Sequence, residues 1–310
     1  MRILVLGAGA TGGYFGGRLA EAGADVTFLL RPARAARIAA DGLRIKSPDG
    51  DSALEVATIT QATSPFDLIV MSCKAYDLDS AITAIAPAVE ANTTILPLLN
   101  GLAHYAPLDT AFGADKVIGG LCHIMATVTP DGAIRHLGGP PASVTFGERG
   151  GGASARVEAI AASFAPALFT TRPSPNVMQE AWEKLSLIAT LAGATCLMRA
   201  SIGDIVATQD GEAIIRALYA ECEAIAAASG YPLRPKAAAS TLAILTEPGS
   251  KATASMLRDL EAGRRVEAAE IPGDLVARAR SLGLAVPHLR AAYCHLQCYE
   301  ARRAQAAPAV

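Results

Sequence analysis

Met1-Arg2-Ile3-Leu4-Val5-Leu6-Gly7-Ala8-Gly9-Ala10-Thr11-Gly12 is the stretch on which the reading of this chain turns. Arg2–Leu6 is a short apolar run with strand character, and the six residues after it have the form Gly-x-Gly-x-x-Gly. Alone, that spacing is common; between a strand and a helix it has a mechanical meaning. Gly7 permits the tight turn, Gly9 lets the backbone approach a pyrophosphate, and Gly12 lets the helix lie close to the strand. The helix N-terminus then offers unpaired N–H groups to phosphate oxygens. A dinucleotide site at Gly7, Gly9, Ala10, Thr11 and Gly12 is the expectation. A glycine-rich turn with no ligand is the alternative.

The next discriminating position lies at the end of the second strand, Asp25–Leu30. NAD-preferring sites commonly carry an acidic residue there to hold the ribose 2′-hydroxyl. Here the chain reads Leu29-Leu30-Arg31-Pro32, with Arg34 and Arg37 following, while Asp25 lies too early, at the strand's start. A guanidinium offers forked donors to a 2′-phosphate, which a carboxylate would repel. Arg31 therefore favours NADPH as the cofactor. Arg37 reads equally well as part of a solvated basic face.

Outward from this core, apolar runs at Asp67–Ser72, Thr94–Leu98 and Lys116–Gly119 alternate with helical Arg34–Asp41 and Asp79–Val89. Alternation of this kind predicts a parallel sheet covered by helices on both faces. Turn-separated runs over Thr127–Gly147 predict antiparallel additions at one edge of that sheet. A helix over Ala155–Phe164 closes the domain, and Arg172-Pro173-Ser174-Pro175 marks its boundary, because two prolines discourage a continuous helix. The expected division is residues 1–174 and 175–310. The second part reads as helices at Asn176–Ala192, Asp210–Ala228, Lys236–Leu245, Ala252–Ala262, Glu270–Ser281 and Pro287–Arg303, with Gly230 and Gly283 as stops. The fold class is thus α/β: a Rossmann-type doubly wound sheet followed by an all-helical domain.

Hydrophobic residues make up 51% of the 310 positions and charged residues 18%, so a large core can be buried. A net charge of −2 gives no polybasic surface for nucleic acid or anionic lipid. The longest apolar run, Leu185–Met198, is too short to span a bilayer, and no secretory leader is evident. The expectation is a cytoplasmic protein, monomer or homodimer, with no membrane or nucleic-acid partner. Its six cysteines then read as free, mostly buried thiols. Cys294 and Cys298 share a helix face near His288 and His295, but His295 points elsewhere and no second ligand pair is spaced for a metal. No metal is expected.

Several segments taken together resemble the ketopantoate reductase (2-dehydropantoate 2-reductase) family. They are the glycine loop, Cys73-Lys74-Ala75-Tyr76, Leu99-Asn100-Gly101, Trp182-Glu183-Lys184-Leu185, and Ser255-Met256-Leu257-Arg258-Asp259 leading through Gly263-Arg264-Arg265 to Glu267. The resemblance spans nearly the whole chain. It implies a Rossmann domain followed by a helical one, and NADPH-dependent reduction of a 2-oxo acid to a 2-hydroxy acid. By position it implies that Lys184 is the catalytic lysine, Glu267 the acid that orients substrate, and Ser255 a substrate ligand. Asn100 and Lys74 would lie by the cofactor, with Asn100 also touching substrate. The chemistry is sound on its own terms: hydride reaching a carbonyl carbon builds charge on oxygen, which a nearby ammonium stabilises and protonates. A lysine followed by Leu185, Leu187, Ile188 and Leu191 suits that task, although a snorkelling lysine at a helix start has the same signature. Glu267 sits among Glu261, Arg264, Arg265 and Glu270, which by itself reads as a solvated face.

The chain also departs from the family pattern. Ile188 and Ala192 stand where the lysine helix usually bears asparagines, and Ala269 where an aspartate usually follows the acid. These losses predict a less polar substrate pocket with cofactor binding intact. They leave two other readings open: a non-catalytic NADPH-binding regulatory or sensor protein, and a β-hydroxyacid-type dehydrogenase.

Overall fold

The computed structural model describes residues 1–306. The chain divides into two compact units: Met1–Asn100 with His104–Met178, and Gly101–Ala103 with the residues from Gln179 onward.

The first unit opens with β1 (Arg2–Leu6), α1 (Ala10–Glu21), β2 (Asp25–Leu29) and α2 (Pro32–Asp41). Short strands β3 (Leu43–Lys46), β4 (Ser52–Leu54) and β5 (Ala57–Ile59) follow, then β6 (Leu68–Met71), α3 (Leu78–Ile85), β7 (Thr94–Pro97) and α4 (Tyr105–Phe112). It closes with β8 (Gly119–His123), β9 (Ala126–Val128), β10 (Ile134–His136), β11 (Ser143–Gly147), α5 (Ala155–Phe164) and β12 (Thr170–Pro173). Five strands form the parallel sheet, in the order β5-β2-β1-β6-β7. β6 and β7 are buried along their whole length, as strands covered on both faces must be. The order reverses between β1 and β6, and in open α/β sheets the crevice beyond the carboxyl ends at such a point is where ligands bind.

The expected edge additions are corrected by the structure. Residues 119–173 do not extend the parallel sheet; they join β3 and β4 in one small sheet, β4-β3-β10-β9, and form a second, β12-β11-β8. The cause is the segment after α2. Leu43-Arg44-Ile45-Lys46 alternates over only four residues, too few to read as a strand alone, yet it pairs with β4 and takes β10 as a parallel partner at Ile45↔Ile134. Its apolar side lies against α1: a Cβ on Gly13 would come 2.2 Å from Ile134 Cδ1, and one on Gly17 2.8 Å from Ile45 Cδ1. Lys116–Gly119 is corrected likewise, since Val117 only bridges Ile95 and the strand proper begins at Gly119. Arg172 and Pro173, expected in a linker, instead end β12, an edge strand where proline is tolerated.

The second unit is helical: α6 (Val177–Met198), α7 (Ile202–Val206), α8 (Gly211–Ala228), α9 (Pro235–Leu245), α10 (Ser255–Glu261), α11 (Asp274–Ser281) and α12 (Pro287–Ala306). Gly230 and Gly283 follow α8 and α11 with φ of 91° and 68°. Their N–H groups close on Ala227 and Arg280, so both stop a helix as expected. The single helix expected over Glu270–Ser281 is instead a π-helical turn, Ala269–Gly273, running into α11, with Pro272 inside the turn. The polar residues buried in α6 satisfy themselves: Ser186, Thr190 and Thr195 each donate to the carbonyl four residues back. That is how so apolar a helix carries three hydroxyls. No disulfide joins any of the six cysteines, but Cys294 and Cys298 are exposed and Cys73 is half-buried, so only three of the thiols are buried.

An ion pair ties α6 to the start of α9. Both carboxylate oxygens of Glu183 accept from the Arg234 guanidinium, at 2.7 and 2.6 Å, and the Arg234 backbone N–H and Gln179 add two further donors. Burial pushes the Glu183 carboxyl up, but the bonds from Arg234 and Gln179 outweigh it and hold the group below the ordinary carboxylate range. A carboxyl depressed in the fold stabilises it above its unfolded value and loses that contribution as pH falls through the folded value. Thermal melts taken downward through the carboxylate range should therefore show a shallower acid-side fall in Glu183→Gln than in the parent. The difference should be modest, because Arg234 is half exposed. Superimposable pH profiles would remove Glu183 from the account.

Candidate functional site

The dinucleotide loop has the geometry its glycines require. Gly7 lies at φ +90°, and its N–H donates to Leu29 O at 3.0 Å, so the turn is anchored on β2. A Cβ on Gly12 would lie 2.0 Å from Ser72 Oγ and 2.5 Å from Gly7 O, so α1 is pressed onto the ends of β1 and β6. Ser72 Oγ itself donates to Leu6 O at 3.0 Å. By contrast, a Cβ on Gly9 would meet nothing within 4 Å. Gly9 is also the N-cap of α1, whose first turn holds no acidic residue. An open approach to uncapped amides at a positive helix end fits a pyrophosphate.

Arg31 is the N-cap of α2. Its side chain is 77% exposed and reaches Asp77 Oδ2 at 3.0 Å. An exposed pair of this kind contributes roughly 0–1 kcal/mol, so a phosphate can displace the carboxylate at little cost. Arg34 behaves differently. Its Nε and one terminal nitrogen donate to Ala8 O at 3.2 and 3.0 Å, inside the glycine loop, and the other donates to Gly132 O at 3.0 Å. Burial lowers its pKa, and the neighbouring charges of Arg37 and Arg44 lower it further. Lys74 directly precedes the short 3-10 turn Ala75–Asp77 after β6. Asn100 follows β7 and precedes Gly101, which takes φ +81°. Both side chains are half-buried. The glycine loop, Ser72, Lys74 and Asn100 thus all leave the carboxyl ends of β1, β6 and β7.

In the second unit, Lys184 is half-buried on α6, with Ile188 and Ala192 one and two turns further along. Ile188 is half-buried and Ala192 is buried, so the helix places apolar groups where asparagines were expected from the family pattern. Glu267 overturns its solvated-face reading. It is 6% exposed between buried Val266 and Ala268, whereas Glu261, Arg264 and Arg265 face solvent. The segment is held by Glu300, which accepts from Val266 N–H at 2.9 Å, and by the π turn, where Ile271 N–H donates to Glu267 O at 3.2 Å. Burial of an ionised carboxylate is costly unless the group is paired or hydrogen-bonded. Ser255 is the exposed first residue of α10. The preceding Ala254 N–H donates to Thr195 Oγ1 at 3.4 Å, which ties α10 to the helix that bears Lys184.

Comparison with known proteins now decides the family. The model of the ketopantoate reductase PanE/ApbA family matches residues 3–151, and the model of that family's C-terminal region matches residues 176–300. The chain belongs to the ketopantoate reductase family. It is accordingly an oxidoreductase. The uncharacterized oxidoreductase YkpB of Bacillus subtilis is 35% identical over 304 residues, covering 98% of this chain and 100% of that one. The 2-dehydropantoate 2-reductase of Halobacterium salinarum is 31% identical over 294 residues, covering 94% of this chain and 96% of its own. Among solved structures, 2-dehydropantoate 2-reductase from Geobacter metallireducens superimposes with a TM-score of 0.87 at 31% identity, covering 96% and 99% of the two chains. A D-mandelate dehydrogenase solved with NADH and anilino(oxo)acetate shares the fold, with a TM-score of 0.88 at 20% identity over 98% and 99% of the chains.

Within this ketopantoate reductase framework, sequence reasoning overlooked three supporting side chains. Ser72 is a small polar residue after a strand and carries no signal of its own. In the sequence Arg34 is only a further arginine after Arg31, and Thr195 only one hydroxyl within the run Leu185–Met198. Each acts through a backbone group distant in sequence. Among the described residues no His, Cys, Asp and Glu side chains cluster as a metal site, and no helix is long and apolar enough to cross a membrane.

Proposed function

We propose that this protein reduces the keto group of a 2-oxo acid to the 2-hydroxy acid with NADPH, the substrate being 2-dehydropantoate or a related, less polar ketone. The observation that carries the reading is the loop: Gly9 open to approach, Gly12 wedged on Ser72, and α1 starting without a carboxylate, next to a strand, β2, that is followed by Arg31 rather than an acid. When bound, the nucleotide supplies the hydride. The chain's own residues do the rest. Arg31 offers a guanidinium to the 2′-phosphate, while Gly7, Gly9, Ala10, Thr11 and Gly12 receive the pyrophosphate on backbone amides. Lys74 and Asn100 leave the carboxyl ends of β6 and β7 to line the nicotinamide end. Lys184 holds a proton for the carbonyl oxygen, where negative charge grows as reduction proceeds. The buried Glu267 carboxylate and the Ser255 hydroxyl orient the substrate's polar groups. Ile188, Ala192 and Ala269 cannot make such bonds through their side chains, which favours a substrate with fewer of its own.

The test is consumption of reduced nicotinamide, followed with NADPH and NADH against a panel running from 2-dehydropantoate to apolar aliphatic and aryl 2-oxo acids. NADPH should exceed NADH in kcat/KM, and at least one apolar acid should match or surpass 2-dehydropantoate. Efficient turnover of 2-dehydropantoate with none of the apolar acids would remove the altered-pocket part of the proposal. The apolar residues at 188 and 192 also favour a second reading, a protein that binds NADPH without turning it over. Tight NADPH binding with no cofactor consumed by any ketone of the panel would decide for it.

A further inference from the structure

Arg34 touches the dinucleotide loop through the loop's backbone. It sets two N–H groups on Ala8 O, which belongs to the peptide between Ala8 and Gly9. In a planar trans peptide the C=O and N–H point in opposite directions. Holding the Ala8 carbonyl therefore fixes where the Gly9 N–H points, and turns it away from the guanidinium. Gly9 is where α1 begins: its carbonyl already accepts from Gly13 N–H at 2.9 Å, and the space a Cβ would occupy is clear to 4 Å. We propose that Arg34 is a positioning residue of the cofactor loop, which aims the Gly9 N–H at the pyrophosphate by clamping the Ala8 carbonyl. The proposal rests on the nucleotide-binding reading above and goes beyond it, because Arg34 needs no contact with the ligand.

The clamp is itself braced. Three successive carbonyls of the turn between β9 and β10 each accept from a different arginine: Pro130 from Arg37, Asp131 from Arg44 and Gly132 from Arg34. Gly132 has φ +79°, and a Cβ on it would lie 2.6 Å from Arg37 Nε, so the turn fits closely among the guanidinium groups. Arg37 and Arg44 have nearby carboxylates in Asp41 and Asp131. Among the described residues, Arg34 has none. A partly buried cation without an ionic partner, crowded by two others, is costly to keep. What it holds is the loop on one side and the turn on the other. Arg31, exposed and reaching outward, is placed to touch the phosphate; Arg34, turned inward, is placed to shape the loop.

The experiment is titration of NADPH and of NADH into the parent, Arg34→Ala and Arg34→Lys, with steady-state kinetics alongside. Loss of the clamp should weaken both nucleotides together, by about tenfold in Arg34→Ala, the worth of one hydrogen bond to a charged group. KM for cofactor should rise while kcat at saturation holds. Arg34→Lys, which keeps the charge but offers a single point donor, should fall between. Added guanidinium ion should restore affinity to Arg34→Ala, an effect that a general loss of stability does not predict. If Arg34→Ala fails to fold, Arg34→Lys carries the comparison. Loss of NADPH affinity alone, with NADH unchanged, would make Arg34 a phosphate contact and overturn the proposal; so would unchanged affinity for both. A parent protein that binds neither nucleotide would instead sink the nucleotide reading itself, a result distinct from any pattern confined to the variants.

Discussion

Lys184→Ala is expected to lower kcat by about two to four orders of magnitude while leaving cofactor affinity close to that of the parent. The size follows from what the ammonium does in the proposed reaction. As hydride adds to the keto carbon, charge accumulates on the oxygen, and without a donor the alkoxide must draw its proton from water. A positioned acid removes that requirement at the transition state, so the loss should appear in kcat as well as in kcat/KM. The setting of Lys184 strengthens the effect. Trp182 and Leu185 beside it are buried, Leu187, Ile188 and Leu191 are half-buried, and an ammonium against such a surface acts through a lower dielectric than in water. Cofactor affinity should persist because the pyrophosphate cradle belongs to α1 and β1, elements of the other unit. Rapid-mixing measurement of NADPH oxidation, paired with fluorescence titration of NADPH, separates the two quantities. A variant that retains kcat within a few-fold of the parent would exclude Lys184 as the acid.

How much of this could be read from residues alone depends on how local the physics is. The strand–glycine–helix unit was legible because every requirement is met within twelve residues: apolar run, turn glycine, helix start. The parallel sheet was legible because Leu68–Met71 and residues 95–98 are short apolar runs without alternation, set between helical segments, as strands covered on both faces are. The second sheet was not, since β3 becomes a strand only when Ile45 finds Ile134 across the chain and both find the glycine face of α1. Arg34 fails for a similar reason. Its two acceptors, Ala8 and Gly132, lie 26 and 98 residues away, and nothing in Arg34-Ala35-Ala36-Arg37 distinguishes an inward guanidinium from an outward one. The burial of Glu267 was hidden by its neighbours. A run of charges reads as a wet face, and only the π turn after it, with Glu300 holding Val266, shows that this one carboxylate is turned inward. The family pattern marked Glu267 where its local composition could not.

The substitutions at 188 and 192 can be reversed, and the reversal has a definite expected result. Ile188→Asn combined with Ala192→Asn should raise kcat/KM for 2-dehydropantoate relative to an apolar 2-oxo acid by about ten- to a hundredfold. Two hydrogen bonds to substrate at roughly 0.5–1.5 kcal/mol each, with more where a buried partner had gone unanswered, give that range. Ile188 lies one turn and Ala192 two turns beyond Lys184 on α6, so polar groups there would share a face with the proposed proton donor. The two positions differ in what they tolerate. Ile188 is half-buried and gives up volume to asparagine, whereas Ala192 is 3% exposed and must accept a larger, polar side chain. Overpacking of that kind costs about 1–3 kcal/mol, so the double variant should melt lower than Ile188→Asn alone. Comparing both variants on both substrates at saturating NADPH keeps stability and preference apart, because a general loss of fold lowers both activities together. A ratio that does not move in either variant would mean that the α6 face beyond Lys184 does not meet the substrate, and the origin of any apolar preference would then lie elsewhere, with Ala269 the next residue to restore.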